Sequence, residues 1–102
     1  MAKNSNIEAL NKVGQSIWYD NLSRDILQSG ELKNLIDAGV SGLTSNPTIF
    51  QKAISGSATY DTDLKKLLAD GNSVVDLTET LMVSDVGNAA DLLRPVYDRT
   101  SG

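Results

Sequence analysis

Gly42-Leu43-Thr44-Ser45-Asn46-Pro47-Thr48-Ile49-Phe50 is the stretch on which the fold turns. A short apolar approach ends in small polar or ring-constrained residues and then becomes a helix. Asn46 can cap that helix, and Pro47 suits its first position, where a missing amide proton costs nothing. The pattern is that of a βα corner facing a substrate. Upstream, Ser16-Ile17-Trp18-Tyr19-Asp20-Asn21-Leu22 has the same design, an apolar run that delivers a carboxylate at its end. Two such corners in one chain point to an enzyme.

Working outward, Ser16 to Asp20 reads as a strand, because Ile17, Trp18 and Tyr19 form a β-favouring run too short for a helix. Val40 to Ser45 reads as the second strand. Between them Ser23 caps a brief helical turn, and Ser29 and Gly39 bracket a helix from about 30 to 38. In a βαβ unit the strands are parallel and the crossover right-handed, so Asp20 and the Thr44 to Asn46 group are expected on one rim. Ile7, Leu10 and Val13 predict a short leading helix that Gly14 ends.

Beyond Pro47 the pattern is helical. Ile49, Phe50, Ala53 and Ile54 line one helix closed by Gly56, and Tyr60, Leu64, Leu67 and Leu68 line the next, closed by Gly71. Val74, Val75, Leu77 and Leu81 follow, and Ser84 is expected to cap a separate final helix bent at Pro95. About two thirds of the chain is helical on this reading, with two strands.

Composition excludes several function classes. Thirteen acidic against nine basic residues give a formal charge of −4, with the basic residues dispersed, so neither nucleic acid nor an anionic membrane is an expected partner. The chain contains no cysteine and no histidine, which removes disulfides, thiol nucleophiles and the usual soft metal ligands. Residues 1 to 12 lack the apolar core of a signal peptide, and the apolar runs are too short to span a bilayer, so a cytoplasmic protein is the default expectation. Apolar residues at 40% and charged residues at 22% suit a folded chain.

Asp20 has two readings from pattern alone. One is a turn or cap carboxylate for the segment that follows, where Asp is favoured; the other is a carboxylate in an active-site mouth, since barrel strands deliver such groups at their C-terminal ends. Asn46 is a helix cap whose amide can still meet a substrate hydroxyl. Thr44 and Ser45 divide evenly between lining the site and packing. Trp18 and Tyr19 read as core and strand-face residues, while Lys65-Lys66 and the Asp61, Asp63 pair read as solvated helix faces. Gly42 does not follow a strand in the manner of a phosphate-cradling loop.

The segment Ile17 to Asp25, followed by Gly42 to Phe50, resembles the opening of transaldolase. Ala89-Ala90-Asp91-Leu92-Leu93-Arg94-Pro95-Val96-Tyr97-Asp98-Arg99-Thr100 resembles that family's segment just before its third barrel strand. The likeness covers nearly the whole chain. It implies an α/β fold, a partial (β/α)8 barrel made of the first two βα units plus several helices, predominantly helical and forming a single domain over residues 1–102. A whole barrel needs about 250 residues. With two strands the sheet cannot close, and Ile17, Tyr19 and Leu43, with Trp18 as a further candidate, are expected to stay wet unless covered, so repacking, strand exchange or self-association is expected of the isolated chain.

The resemblance further implies transfer of a dihydroxyacetone unit between sugar phosphates in the pentose phosphate pathway, through a Schiff base on a lysine of the fourth barrel strand, assisted by a glutamate on the third. On it, Asp20 matches the general acid/base, Asn46 holds the dihydroxyacetone part, and Thr44 and Ser45 line the site. No metal and no organic cofactor is implied. Partners would be sugar phosphates, with a second copy or a complementary barrel fragment. Lys3, Lys12, Lys33, Lys52, Lys65 and Lys66 lie on polar helix faces or the N-terminal tail, unlike a desolvated carbinolamine-forming lysine. The 102 residues, read as a truncated segment, are therefore expected to be inactive alone. The alternatives are a non-catalytic self-associating α/β or helical module, and one half of a two-chain barrel.

Overall fold

A computed structural model describes residues 4–102. In chain order the elements are α1 (Ser5–Lys12), β1 (Trp18–Tyr19), α2 (Arg24–Gln28), α3 (Glu31–Asp37), β2 (Gly42–Leu43), α4 (Pro47–Gly56), a 3-10 turn (Ala58–Tyr60), α5 (Asp61–Ala69) and α6 (Val74–Thr100). The two strands are parallel, with Trp18 opposite Gly42 and Tyr19 opposite Leu43. Backbone bonds from Ser41 N to Ile17 O and from Thr44 N to Tyr19 O, each 2.9 Å, extend the pairing one step beyond each end. The expected βαβ unit is therefore present, on shorter strands than the apolar runs suggested.

Local chemistry explains most element boundaries. The side chains of Asn4, Ser23, Asn46 and Ser73 each accept a bond from the first turn of the helix they precede, satisfying amides that have no partner within the helix. α3 begins differently: Gly30 occupies the cap position with φ 83°, and Ser29 Oγ accepts from Glu31 N at 3.3 Å. Gly39 follows α3 with φ 116°, and a Cβ there would lie 2.7 Å from Ile7 Cγ2. Only glycine serves both the left-handed turn and the close approach of α1.

One helix replaces the expected two at the C-terminal end. α6 runs without a break through 27 residues and keeps Pro95 inside it. Ser84 lies in its exposed interior, not at a cap, because residues 82–86 contain nothing that would stop a helix and the neighbouring turns are anchored by buried Leu81 and Asp85. The helix spans about 40 Å at the standard rise per residue, and it gives the molecule its long axis of 50 Å against widths of 24 and 20 Å.

The core lies between this helix and the βαβ unit. Leu22, Ile26, Leu32, Phe50 and Ala89 are buried together, with Tyr19, Leu43, Ile36 and Leu92 packed against them. This corrects the expectation for the ribbon's two faces. Tyr19 and Leu43 point to the helices and are half-buried, whereas Trp18 on the other face is 60% exposed. Strand alternation requires such a division once one residue is fixed by the core. Val74 and Val75 also differ from expectation, lying 76% and 74% exposed while Leu77 and Leu81 face inward.

Candidate active site

The parallel register places Asp20 and Thr44 side by side at the C-terminal end of both strands. Thr44 Oγ1 donates to Asp20 Oδ1 at 2.5 Å, and both residues are exposed. Among the described residues this is the one side-chain bond Asp20 receives, so its other oxygen keeps acceptor capacity for a ligand. Asn46 stands on the same rim, where its Oδ1 accepts from Ile49 N at 3.0 Å and caps α4. Its amide nitrogen has no partner among the described residues and faces solvent as a free donor.

Ser45 is placed differently. Its hydroxyl is buried without a hydrogen-bond partner, as is that of Ser41. The alternation of the strand sets both on the side of Leu43 rather than that of Thr44. Of the four sequence-predicted residues, the structure thus joins Asp20 and Thr44 directly, keeps Asn46 on the rim as cap and donor, and turns Ser45 away.

Four residues after Asp20 lies a group that pattern reading missed. Arg24 is buried, and its Nε donates to Asp85 Oδ1 at 2.9 Å. Tyr60 Oη donates to Asp85 Oδ2 at 2.5 Å and accepts from the backbone amide of Arg24 at 2.8 Å. The guanidinium also stacks 4.5 Å from the Tyr60 ring centre and bonds to Asp63 through Nη1. Asp63 therefore belongs to this network, not to a wholly solvated face. Burial pulls the Arg24 pKa down, but the hydrogen bonds to Asp85 and Asp63 outweigh it and the net direction is up. Burial, and then the bond to Asp85, push the Tyr60 phenol well above its ordinary value. The network joins the β1–α2 corner to α5 and α6, fixing the loop that carries Asp20.

Asp25 is held by hydroxyls of the 3-10 turn, accepting from Thr59 and from Ser57 at 3.1 Å, and those bonds lower its pKa in that order. Lys12, Lys33, Lys52, Lys65 and Lys66 are all exposed; Lys3 lies outside the described residues. Among the described residues no cluster of three or more metal-ligating side chains occurs, and no helix is long and apolar enough to cross a membrane. An apolar groove of about 900 Å³ runs along the first half of α6 and includes none of the rim residues.

The sequence profile of the family described as Transaldolase/Fructose-6-phosphate aldolase matches residues 17–101. The chain belongs to this family. Transaldolase 2 of Nostoc punctiforme is 50% identical over 93 residues, covering 90% of this chain and 24% of the relative. A transaldolase of Saccharopolyspora erythraea is 50% identical over 99 residues, covering 96% and 27%, and one of Mycobacterium tuberculosis is 45% identical over 102 residues, covering 99% and 27%. The chain spans about a quarter of the length of the curated relatives it matches. The matched region contains both strands, the rim and the Arg24–Asp85 network. A transaldolase-family segment with a two-stranded parallel sheet and predominantly helical surroundings is consistent with part of an aldolase-type barrel.

Proposed function

We propose that these residues are the first two βα units of a transaldolase barrel and supply part of its substrate site, for transfer of a dihydroxyacetone unit between sugar phosphates. The observation that carries this reading is the Asp20–Thr44 pair, held at the ends of two parallel strands in a chain of this family. Asp20 acts as general acid/base: as the carbon–carbon bond of the ketose breaks, its carboxylate takes the proton of the adjoining hydroxyl, and it returns that proton when the acceptor aldehyde is joined. Thr44 fixes the carboxylate's orientation, and the free amide of Asn46 binds a hydroxyl of the dihydroxyacetone part. Ser45 supports the strand end from behind.

The Schiff-base step needs a desolvated lysine facing the bound carbonyl. Every described lysine is exposed on a helix or at its end, so none of them is the desolvated residue that this step requires. The isolated chain accordingly forms no imine. Borohydride reduction in the presence of fructose 6-phosphate, read by mass spectrometry, should leave all six lysines unmodified; a stable adduct on any of them contradicts the assignment.

A self-associating form has its own support. Both outer edges of the two-stranded sheet lack a third strand among the described residues, and parallel sheets are ordinarily covered on both faces. Sedimentation at micromolar concentration should show dimers or larger species, whereas a monomer at all concentrations counts against it.

A further inference from the structure

Trp18 lies one side-chain level below Asp20 on the open face of the ribbon, just as Gly42 lies below Thr44. A Cβ built on Gly42 would meet Trp18 Cε2 at 2.4 Å, Cδ2 at 2.5 Å and Nε1 at 2.7 Å. These atoms belong to the fused bond of the indole and its neighbour, so the ring lies over the glycine by its face. No residue with a side chain could stand at position 42 without moving it. The ring is thus seated on the neighbouring strand, yet Trp18 remains 60% exposed. It is a fixed aromatic plane with its far side uncovered, about 7 Å along the strands from the Asp20–Thr44 level.

We propose that the Trp18 indole is the floor of the substrate site, on which the carbon chain of an open-chain ketose rests while its hydroxyls reach Asp20, Thr44 and the Asn46 amide. This rests on the transaldolase reading and adds a substrate-contacting residue to it. An aromatic face beside a carboxylate and a hydroxyl suits a polyol, whose C–H groups lie against the ring and whose O–H groups donate to the carboxylate. The charge of Asp20 also sets direction. A phosphate would be repelled beside it, so the neutral keto end of the substrate lies over Trp18 and the phosphate end points away.

Trp18 is the sole tryptophan of the chain, so emission reports on this ring alone. The 102-residue chain is titrated with dihydroxyacetone, with fructose 6-phosphate and with inorganic phosphate, following Trp18 emission and iodide quenching, while saturation-transfer NMR on the ligand measures binding independently. The expected result is a saturable emission change and reduced quenching with both ketoses and none with inorganic phosphate. Binding read by NMR should be retained in Trp18→Phe and weakened about tenfold in Trp18→Leu, which fills space without a ring. Circular dichroism confirms that each variant is folded, and Gly42→Ala, which displaces the ring while keeping the tryptophan in the sequence, should also lower affinity. If dihydroxyacetone binds but emission stays constant and Trp18→Leu binds equally well, the floor is overturned and the transaldolase reading stands. If the ketoses do not bind, or Asp20→Asn and Asn46→Asp leave binding unchanged, the reading itself fails and the floor fails with it.

Discussion

Asp85 and Asp20 are two carboxylates held by the same short corner, and their surroundings set them to opposite tasks. Asp85 is wholly buried and both its oxygens are occupied, one by Arg24 Nε and one by Tyr60 Oη. Asp20, four residues before Arg24, is exposed and receives one side-chain bond from Thr44. A buried charge is tolerable only when its hydrogen-bonding capacity is met by the protein. An exposed carboxylate has no such constraint and keeps capacity for a ligand. Burial separates the residue that holds the corner from the residue that the corner presents.

The largest effect expected is that of Asp85→Ala. It leaves Arg24 Nε and the Tyr60 hydroxyl without their buried acceptor, with Asp63 alone still pairing the guanidinium, and should destabilise the chain by about 3 kcal/mol, a large share of the total for a domain of this size. Urea denaturation followed by circular dichroism measures it. Asp20→Ala, measured alongside, should change stability by about 0.5 kcal/mol or less. Equal losses at the two positions would show that burial does not separate the two carboxylates.

Tyr60→Phe should follow at about 1–3 kcal/mol, because two buried partners lose the hydroxyl they share. It also tests a pH dependence. The folded Tyr60 pKa is raised, so its contribution is fully present below the ordinary tyrosine pKa of about 10 and is lost as pH rises beyond it. Thermal melts between pH 8 and pH 11 should show wild type losing stability above pH 10 more steeply than Tyr60→Phe. Parallel slopes would mean that the phenol is not held in its neutral form by folding.

Asn46 combines a helix cap and a free donor in one side chain on the rim. Asn46→Ala removes the α4 cap and should cost about 1 kcal/mol, whereas Asn46→Asp keeps a capping oxygen and should preserve stability while removing the amide donor. Ketose binding lost in both, with stability lost in only the first, separates cap from contact. Smallest of all, Arg94→Ala breaks an exposed pair with Asp98 at 3.1 Å and should shift stability by no more than about 0.5 kcal/mol.

The rim was legible in the sequence because its determinants are local. Apolar runs that stop at Asp20 and Thr44, a cap at Ser23, and Asn46 before Pro47 each act within a few residues, and the parallel crossover follows from the intervening helices. The Arg24–Asp85 bond joins residues 61 positions apart, and no local preference encodes it. One signal was present: Leu77, Leu81, Asp85, Ala89 and Val96 fall on one buried stripe of α6, and a carboxylate on such a stripe requires a partner. A break expected before Ser84 divides the helix and hides that stripe. The ribbon's faces escape local reading for a related reason. Alternation gives two faces but not which one meets the helices, and that is decided by packing of Tyr19 and Leu43 against a buried cluster drawn from as far along the chain as Ala89.

Parallel pairing of two short strands brings Asp20 and Thr44 to one rim, and amide hydrogen exchange probes that pairing. The Thr44 and Ser41 amides, which donate to Tyr19 and Ile17, should exchange far more slowly than the same amides would in unstructured peptide. Exchange of both at the rate of unstructured peptide would show that the strands are not joined in this register, and the shared site would not exist.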